Sequence, residues 1–453
     1  MFLLTLLGFV VLASGNVLRN HKFGDILVGS NDIATPCSTN ISNTWVNIFL
    51  MIDVSTNMGA ANLRQLALSL SSEFTQLSIA TNSCQPHTNQ IAVITYSDTA
   101  NIVANLTQIQ SHQDLANTLL SLKISNSNSA FGISNAFNLA EKAWNDFDSF
   151  CRSDFSMTDR LGVFVFAGAN VNVNAFIDNL RVHVLPWDSI ITINANPKDA
   201  LLTQVFNNIS SPSFNLSMAD KNLYQDFTWA ITQANCECSI FDIFTQITAF
   251  NTTANKWQKY ADCFQLTGFG GFHDPDNSIC FELSGSTDAV ITSTVKENVV
   301  RQMLGYQSNE MPFYLIGLHR NAQKKWVWTD YDGSEVPLGN YAPWAPGYNE
   351  NSPGDCVAVV YQSGVDLSKN WLWAPISCQN QTSGCDGSDA DCVNVICQTR
   401  ACDADHASCS GELPRSISLP GQKRMRMTRQ EKIKYSKASK GKKNRVLKKN
   451  KKL

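Results

Sequence analysis

The stretch VNIFLMID at residues 46–53, continued by VSTN at residues 54–57, decides the fold of the first half of the chain. The apolar run from Ile48 to Ile52 is continuous rather than alternating, which is typical of a strand buried on both faces. Similar runs recur at residues 91–96, 162–166 and 190–193, with segments of helical periodicity between them. Strands alternating with helices over about 190 residues predict an α/β domain with a doubly wound parallel sheet.

The first fifteen residues predict an export signal. A short apolar run from Phe2 to Ala13 is followed by small residues, and we expect cleavage after Gly15. The run is shorter than the ~20 residues that a membrane span needs, and no later stretch is long and apolar enough. The alternative is an uncleaved, buried helix.

Cysteine usage and glycosylation signals agree with export. The chain has 14 cysteines and no CxxC pair, a pattern that favours disulfides in an extracellular protein. It also carries six Asn-x-Ser/Thr sequons. Their asparagines are Asn40, Asn105, Asn208, Asn215, Asn251 and Asn380. We therefore expect a secreted glycoprotein.

The net charge of −3 hides an asymmetry. Residues 414–453 contain 16 Lys and Arg and one acid, so they carry +15, which leaves −18 on the rest. Sparse apolar residues predict that this basic tail is disordered. The tail either keeps the protein soluble, or binds extracellular polyanions such as sulfated glycans, or is removed at Lys423-Arg424. Export makes a nucleic-acid role unlikely.

Composition shifts divide the chain into six segments. We predict a signal peptide (1–15), a polar lead-in (16–44), an α/β domain (45–235), a Trp- and Cys-rich α+β domain (239–386), a short Cys-rich segment (387–412) and the basic tail (413–453).

The motif after the first strand resembles the metal-binding DxSxS motif of von Willebrand factor A domains. Asp53 and Ser55 match it, and Asn57 stands in place of the second Ser. The family's Thr and Asp ligands align with Phe131 and Ala167, which have no ligand atom; Ser129 is the only nearby substitute. Because Mg²⁺ needs several oxygen ligands, we expect no working metal site. Asp53 and Ser55 are expected to hydrogen-bond loop backbone instead.

Residues 239–386 resemble a C-type lectin-like domain, through ordered matches rather than one motif. The matching residues are Trp257, Cys263-Phe264, Cys280, Ile316-Gly317-Leu318, Trp326, Trp328, Trp344, Pro346, Asp355-Cys356-Val357, Trp373, Cys378 and Cys385. The tryptophans are expected to pack in the core. The two-domain arrangement resembles a nematode group of secreted lectin-like proteins, which implies extracellular recognition and a role in innate defence.

The resemblance also implies disulfides. It predicts Cys280–Cys385 and Cys356–Cys378, and a bond from Cys263 to either Cys236 or Cys238, with the other of those two reaching Cys37. Cys84 and Cys151 are a further candidate pair. The remaining four cysteines are expected to form two bridges among themselves, in an order that the sequence leaves open: Cys392, Cys397, Cys402 and Cys409.

Sugar-binding lectin domains hold Ca²⁺ through an acid-Pro-Asn-type triplet and an Asn-Asp pair. Here the triplet aligns with Tyr348-Asn349-Glu350 and the pair with Ala374-Pro375, so most oxygen ligands are missing. We expect no cofactor. Tyr348, Asn349, Glu350 and Asp355 are the candidate ligand-binding residues, in a long loop spanning residues 341–377.

Three functions remain. The first, which we favour, is a metal-independent extracellular recognition protein that binds a protein or a glycan; a Ca²⁺-dependent carbohydrate-binding lectin is an alternative to it. The second is a structural component of extracellular matrix or adhesion. The third is an enzyme, which we do not expect because nucleophile elbows, zinc motifs and paired acids are absent from the sequence.

Overall fold

A computed structural model describes residues 27–28, 34–82, 85, 87–151, 161–170, 188–238, 244–267, 280, 286–304, 313–331, 333–361, 371–378 and 394–406. The predicted export signal, the basic tail, Cys84, Asn380, Cys385, Cys392 and Cys409 lie outside these residues. None of the helices in the described part is long and apolar enough to cross a membrane.

Helices and strands are numbered separately in chain order. The strands are β1 (Leu27–Val28), β2 (Val46–Asp53), β3 (Gln90–Tyr96), β4 (Ala100–Ala104), β5 (Leu161–Gly168), β6 (Ser189–Asn194), β7 (Asn215–Ser217), β8 (Thr245–Asn251), β9 (Lys256–Thr267), β10 (Thr287–Asp288), β11 (Phe313–Arg320), β12 (Trp326–Thr329), β13 (Glu335–Pro337), β14 (Cys356–Tyr361), β15 (Trp371–Ile376) and β16 (Asn394–Arg400). The α-helices are α1 (Ala60–Glu73), α2 (His112–Leu120), α3 (Ile133–Cys151), α4 (Ala200–Ile209), α5 (Leu223–Ala234) and α6 (Thr294–Leu304).

The first domain is built on a sheet with the strand order β4-β3-β2-β5-β6-β7. Neighbouring strands are parallel, except that β4 runs antiparallel to β3. All eight residues of β2 are buried, because its alternate side chains enter two cores. Ile48, Leu50 and Ile52 pack on one face, while Phe49 and Met51 pack on the other. The predicted doubly wound sheet is confirmed.

Helices cover both faces of this sheet. Apolar residues of α1, α2 and α5 pack on the face of Leu50, and those of α3 and α4 on the face of Phe49. Two of these helices have side-chain caps: Ser111 Oγ accepts from Asp114 N before α2, and Asp199 accepts from Leu201 N and Leu202 N before α4. Such caps satisfy helix-start donors that otherwise have no partner.

A second sheet forms the lectin-like domain. Its strand order is β1-β8-β9-β16-β11-β12-β13, with β14 pairing β11 and β15, and β10 pairing β16. Trp328 and Trp373 are fully buried and meet edge-to-face, with ring centroids 5.7 Å apart. Val295, Val299 and Val300 of α6 pack into the same core. The expectation that the tryptophans build this core is confirmed for both Trp328 and Trp373.

The described part of the lead-in packs with the second domain, although it comes before the first domain in the sequence. Ala34 lies in the second core. The Ala261 amide donates to Thr35 O at 2.7 Å, and Thr35 N and Oγ1 donate to the buried Asp262 carboxylate at 2.7 and 2.9 Å. The Lys296 Nζ atom lies 3.4 Å from the same carboxylate. The first domain is therefore inserted between two segments of the second.

Four disulfides lie among the described residues: Cys37–Cys236, Cys238–Cys263, Cys280–Cys397 and Cys356–Cys378. Cys356–Cys378 is confirmed, and the open choice for Cys263 resolves to Cys238, which leaves Cys236 for Cys37. The predicted Cys280–Cys385 bond is wrong. So is the expectation that Cys397 bonds within its own segment.

The error has a topological cause. Residues 394–400 form β16, which pairs with β9 and β11 near the centre of the sheet. Cys397 lies in this strand, and its Cα atom is 5.3 Å from that of Cys280, a normal disulfide separation. The second sheet therefore continues past residue 386, where the sequence analysis ended the domain.

The two domains meet around the inserted domain's ends. Cys37–Cys236 joins the chain entering the first domain to the chain leaving it. Lys256 pairs with Asp226 of α5 and lies 4.6 Å above the Trp229 ring. Lys259 pairs with Glu237. Two chain segments, disulfides and ion pairs therefore connect the first domain to the second.

Candidate functional site

Asp53 lies at the carboxyl end of β2, the sheet edge at which open α/β folds bind ligands. Its side chain is fully buried. Asp53 Oδ1 accepts a hydrogen bond from Ser55 N at 2.7 Å, and Oδ2 accepts one from Ala169 N at 3.1 Å. The carboxylate is thus held by backbone donors of its own loops.

Of the other residues in the aligned metal set, Ser55 contacts Asp53, whereas Asn57, Phe131, Ala167 and Ser129 have no hydrogen bond to it among the described residues. Asn57 Nδ2 instead donates to Asn128 O at 2.8 Å. The Phe131 side chain is 60% exposed, whereas Ala167 is buried. Ser129 Oγ, the only proposed substitute, accepts from the Phe131 amide at 3.1 Å.

The electrostatics of this edge follow from burial. Burial raises the pKa of Asp53, although backbone hydrogen bonds from Ser55, Ala169 and Asn170 counteract part of the effect. Burial, and next the charge of Asp53, raise the pKa of the Tyr96 hydroxyl well above its ordinary value. Tyr96 lies so close to Gly168 that an added Cβ there would be 2.5 Å from its hydroxyl oxygen.

These groups do not fit Mg²⁺. The ion needs near-octahedral oxygen ligands, and here one carboxylate already accepts N–H bonds at both oxygens. Across the described ranges, no three His, Cys, Asp or Glu side chains form a group suited to a metal.

The candidate ligand-binding residues of the second domain lie on an exposed turn. Tyr348 is 46% exposed, and Asn349, Glu350 and Asn351 are also exposed. Asp355 lies at the base of the turn, where its Oδ1 atom is 3.0 Å from Lys324 Nζ. The structure therefore brings Tyr348, Asn349 and Glu350 together on one surface and sets Asp355 apart from them.

Beneath this turn, which we call the recognition loop (residues 348–355), lies the guanidinium of Arg320. It donates to Glu350 O at 2.7 Å, Gly354 O at 2.9 Å and Ser352 O at 3.2 Å. Its Cζ atom is 4.4 Å from the Trp326 ring centroid. The Trp326 Nε1 atom also donates to Glu350 O, at 2.9 Å.

The far side of the recognition loop rests on β15. The Asp355 amide donates to Ile376 O at 3.0 Å. Gly354 has a φ of +129°, and a Cβ there would be 2.7 Å from Ile376 N, so only glycine fits. Ala374 and Pro375, which align with the family's calcium-binding pair, are buried within β15.

A buried carboxylate supports the aromatic cluster. Trp373 Nε1 donates to Glu297 Oε2 at 3.3 Å, and the Tyr314 hydroxyl donates to Oε1 at 3.2 Å. Burial raises the pKa of Glu297, while the nearby Arg301 guanidinium counteracts part of the shift. Trp373 in turn contacts Trp344 and Tyr341 edge-on, so this carboxylate orients the core below the recognition loop.

Five of the six sequon asparagines are described, and none is fully buried. Asn105, Asn208 and Asn215 are exposed, whereas Asn40 and Asn251 are half-buried. Asn40 Nδ2 donates to Asp405 Oδ1 at 3.0 Å, so a glycan there would have to share that amide. Glycosylation at these positions, and at Asn380, stays a prediction.

Residues 47–150 match the family model of the von Willebrand factor type A domain. The first domain is von Willebrand factor A-like. This match covers the strand that ends at Asp53, the helix that follows it and the loop that carries Phe131. It confirms the resemblance on which the sequence analysis based the first domain.

A curated relative joins this A-like domain to the lectin-like part. The C-type lectin domain-containing protein 160 of Caenorhabditis elegans is 25% identical over 394 residues, covering 82% of this chain and 55% of the relative. This chain thus spans about half of that protein's length. The predicted combination of A-like and lectin-like domains is confirmed.

Two solved structures each resemble less than half of the chain. Proximal thread matrix protein 1 from the mussel byssus covers 46% of this chain and 50% of its own, at 12% identity and a TM-score of 0.34. Human lithostathine covers 31% of this chain and 84% of its own, at 16% identity and a TM-score of 0.24.

The sequence analysis missed Arg320 and Glu297. Both are charged residues next to matched segments: Arg320 ends the strand that contains Ile316-Gly317-Leu318, and Glu297 lies in the helix before that strand. A charge at the end of a buried strand is a weak signal, because most such residues are solvated. Only the fold shows that the recognition loop closes over Arg320.

Proposed function

We propose that this chain is a secreted, non-enzymatic recognition protein. It binds an extracellular glycan or protein through the recognition loop, without Ca²⁺ or Mg²⁺. The A-like domain and the lectin-domain relative support the broader class of extracellular recognition and adhesion proteins. Domains of these two kinds are typically non-enzymatic, and the disulfides fit an oxidising, extracellular compartment.

One observation carries the proposal. Protein donors already satisfy the inward-facing carbonyl oxygens of the recognition loop, while the side chains at its tip point to solvent. Tyr348 offers an aromatic face, and Asn349, Glu350 and Asn351 offer amide and carboxylate groups. Sugar rings and peptide side chains both use such combinations of an apolar face and fixed polar groups.

The recognition loop and its surroundings carry charges of both signs. Glu350 and Asp355 are acidic, Lys324 is paired with Asp355, and Arg320 and the exposed Lys325 are basic. These charges offset one another, so the proposal sets no net-charge requirement for the ligand.

The test is a glycan array with the full secreted chain, run in Ca²⁺ and in EDTA, followed by capture of partners from extracellular fluid. We expect binding in both conditions and its loss in Tyr348→Ala. Tyr224→Ala, which changes an exposed tyrosine of the first domain, is the matched control. A defined ligand that needs Ca²⁺ would overturn metal independence. Self-association with neither glycan nor protein binding would favour the structural matrix role.

The basic tail supplies a second, separate proposal: it binds extracellular polyanions. This rests on its sequence, 16 Lys and Arg against one acid in residues 414–453. Binding of this kind releases counterions, so it weakens steeply with salt. On heparin resin, the full chain should elute at higher salt than a version ending at Leu413. Equal elution contradicts the proposal, and mass spectrometry of the secreted form shows whether cleavage removes the tail.

A further inference from the structure

The carbonyl oxygens of the recognition loop point at one positive group. Those of Glu350, Ser352 and Gly354, three alternate residues, lie 2.7 to 3.2 Å from Arg320 nitrogen atoms. A fourth carbonyl, that of Lys324, accepts from the same guanidinium at 3.1 Å. Carbonyl dipoles aimed at one region repel each other unless a donor or a cation lies between them.

Trp326 fixes the direction of that guanidinium. The Arg320 Cζ atom lies 4.4 Å from the Trp326 ring centroid, within the range of a cation–π contact. The indole Nε1 shares the Glu350 carbonyl with Arg320. At the other end, the Arg320 backbone amide donates to Asp355 O at 2.8 Å. Arg320 is thus bonded to the recognition loop through both its side chain and its backbone.

We propose that Arg320 is the positioning residue of the recognition loop. Its guanidinium serves as a built-in cation, which gathers the loop carbonyls and fixes the exposed face of Tyr348 and its neighbours for the ligand. The inference deepens the proposed function and rests on it, because it names what gives that binding face its shape. Its physical basis is the planar fork of arginine, which satisfies several fixed acceptors at once.

A built-in cation behaves differently from a bound ion. Chelators cannot remove it, and an arginine side chain keeps its charge throughout the physiological pH range. A loop held by Ca²⁺ opens in EDTA, and also in acid once its carboxylate ligands are protonated. The recognition loop should therefore keep its shape, and its ligand affinity, in EDTA and at about pH 5.

Hydrogen exchange of the full secreted chain tests this directly. The informative amides are those of Ser352, which donates to Asn349 O, and Asp355, which donates to Ile376 O. Three variants are compared: Arg320→Met keeps the stem, Arg320→Lys keeps the charge without the fork, and Lys325→Met removes an exposed charge from the neighbouring turn. We expect about tenfold faster exchange in Arg320→Met, an intermediate rate in Arg320→Lys and no change in Lys325→Met.

Exchange of β2 and β14 amides reports whether each variant has folded. The proposal is overturned if Arg320→Met folds and its loop amides exchange within twofold of the parent, or if EDTA accelerates exchange in the parent. If Arg320→Met is not secreted, Arg320→Lys is measured instead. Loop amides that exchange at the parent rate in Arg320→Lys would refute the role of the forked guanidinium.

Binding measurements separate this inference from the proposed function. Tyr348→Ala should abolish ligand binding while leaving loop exchange slow. If the loop amides of Arg320→Met exchange faster but ligand binding is unaffected, the ligand binds elsewhere on the protein. That outcome refutes the proposed function of the loop, but not the role of Arg320 in loop structure.

Discussion

At the carboxyl edge of the first sheet, backbone N–H groups hold a buried carboxylate, whereas in the recognition loop a charged side chain holds backbone carbonyl oxygens. Asp53 is held by the N–H groups of Ser55 and Ala169. The carbonyls of Glu350, Ser352 and Gly354 are held by Arg320. Each site here is satisfied internally by groups of the opposite polarity.

This difference affects what each site can still do. The carboxylate of the first site is fully buried, whereas the Phe131 side chain is exposed and the Asn57 amide donates to Asn128 O. The recognition loop keeps its polar tip in solvent. A buried, fully hydrogen-bonded carboxylate stabilises the fold but cannot contact a ligand. When only the buried side of a loop is hydrogen-bonded, the side chains on its outer side stay available for binding.

The largest expected effect comes from Asp53→Ala. The substitution leaves two buried N–H donors without an acceptor, each costing about 1–3 kcal/mol, so the first domain should lose about 4 kcal/mol of stability. The loss of stability is measured by chemical denaturation, and hydrogen exchange of the β2 amides shows whether it affects the first domain. Asn57→Ala, which removes an exposed amide, is the control. If Asp53→Ala costs less than 1 kcal/mol, the carboxylate is not the structural centre of that edge.

Next in size is the combined variant Cys356→Ala with Cys378→Ala. This bond spans 22 residues and links β14 to the end of β15, the two strands below the recognition loop. Its loss should cost about 3 kcal/mol, through the added freedom of the unfolded chain. The measurement is the denaturation midpoint of the full chain. An unchanged midpoint would mean that Arg320 and the core alone hold this region together.

A smaller change is expected from Asp53→Asn, whose main signature is in its pH dependence. Because the folded pKa of Asp53 is raised, its stabilising contribution is complete below the ordinary pKa and declines as the pH rises through the folded value. Asp53→Asn removes this decline and keeps one acceptor, at a cost of about 1 kcal/mol. Stability curves from pH 3 to 8, compared with the parent, test the sign. A stability that rises with pH only in the parent contradicts it.

The smallest expected effect is that of metal ions. Adding EDTA, Mg²⁺ or Ca²⁺ to the full chain should change its stability by less than about 0.5 kcal/mol, since a ligand stabilises a protein only to the extent that it binds the folded state. Calorimetric titration provides a second measurement. Saturable Mg²⁺ binding that disappears in Asp53→Ala would show that Asp53 is part of a metal site. It would contradict the view that backbone N–H groups alone satisfy this carboxylate.

The sequence predicted those features that depend on neighbouring residues and on the order of motifs along the chain. The continuous apolar run at residues 48–52 predicted a strand buried on both faces, because a strand with core on each side has no polar face. The lack of ligand atoms at Phe131 and Ala167 led to the expectation of no working metal site, which stays a prediction. The ordered tryptophans and cysteines predicted the lectin-like domain and the Cys356–Cys378 bond.

Only the tertiary structure decided the long-range choices. The lead-in joins the second core through Ala34 and Asp262, across a whole inserted domain. Cys280 bonds Cys397, 117 residues away in sequence, because the fold brings their Cα atoms to 5.3 Å from each other. Arg320 is a positioning residue because the recognition loop folds over it. In each case the deciding quantity is a distance between residues far apart in the chain, which apolar periodicity and residue spacing do not contain.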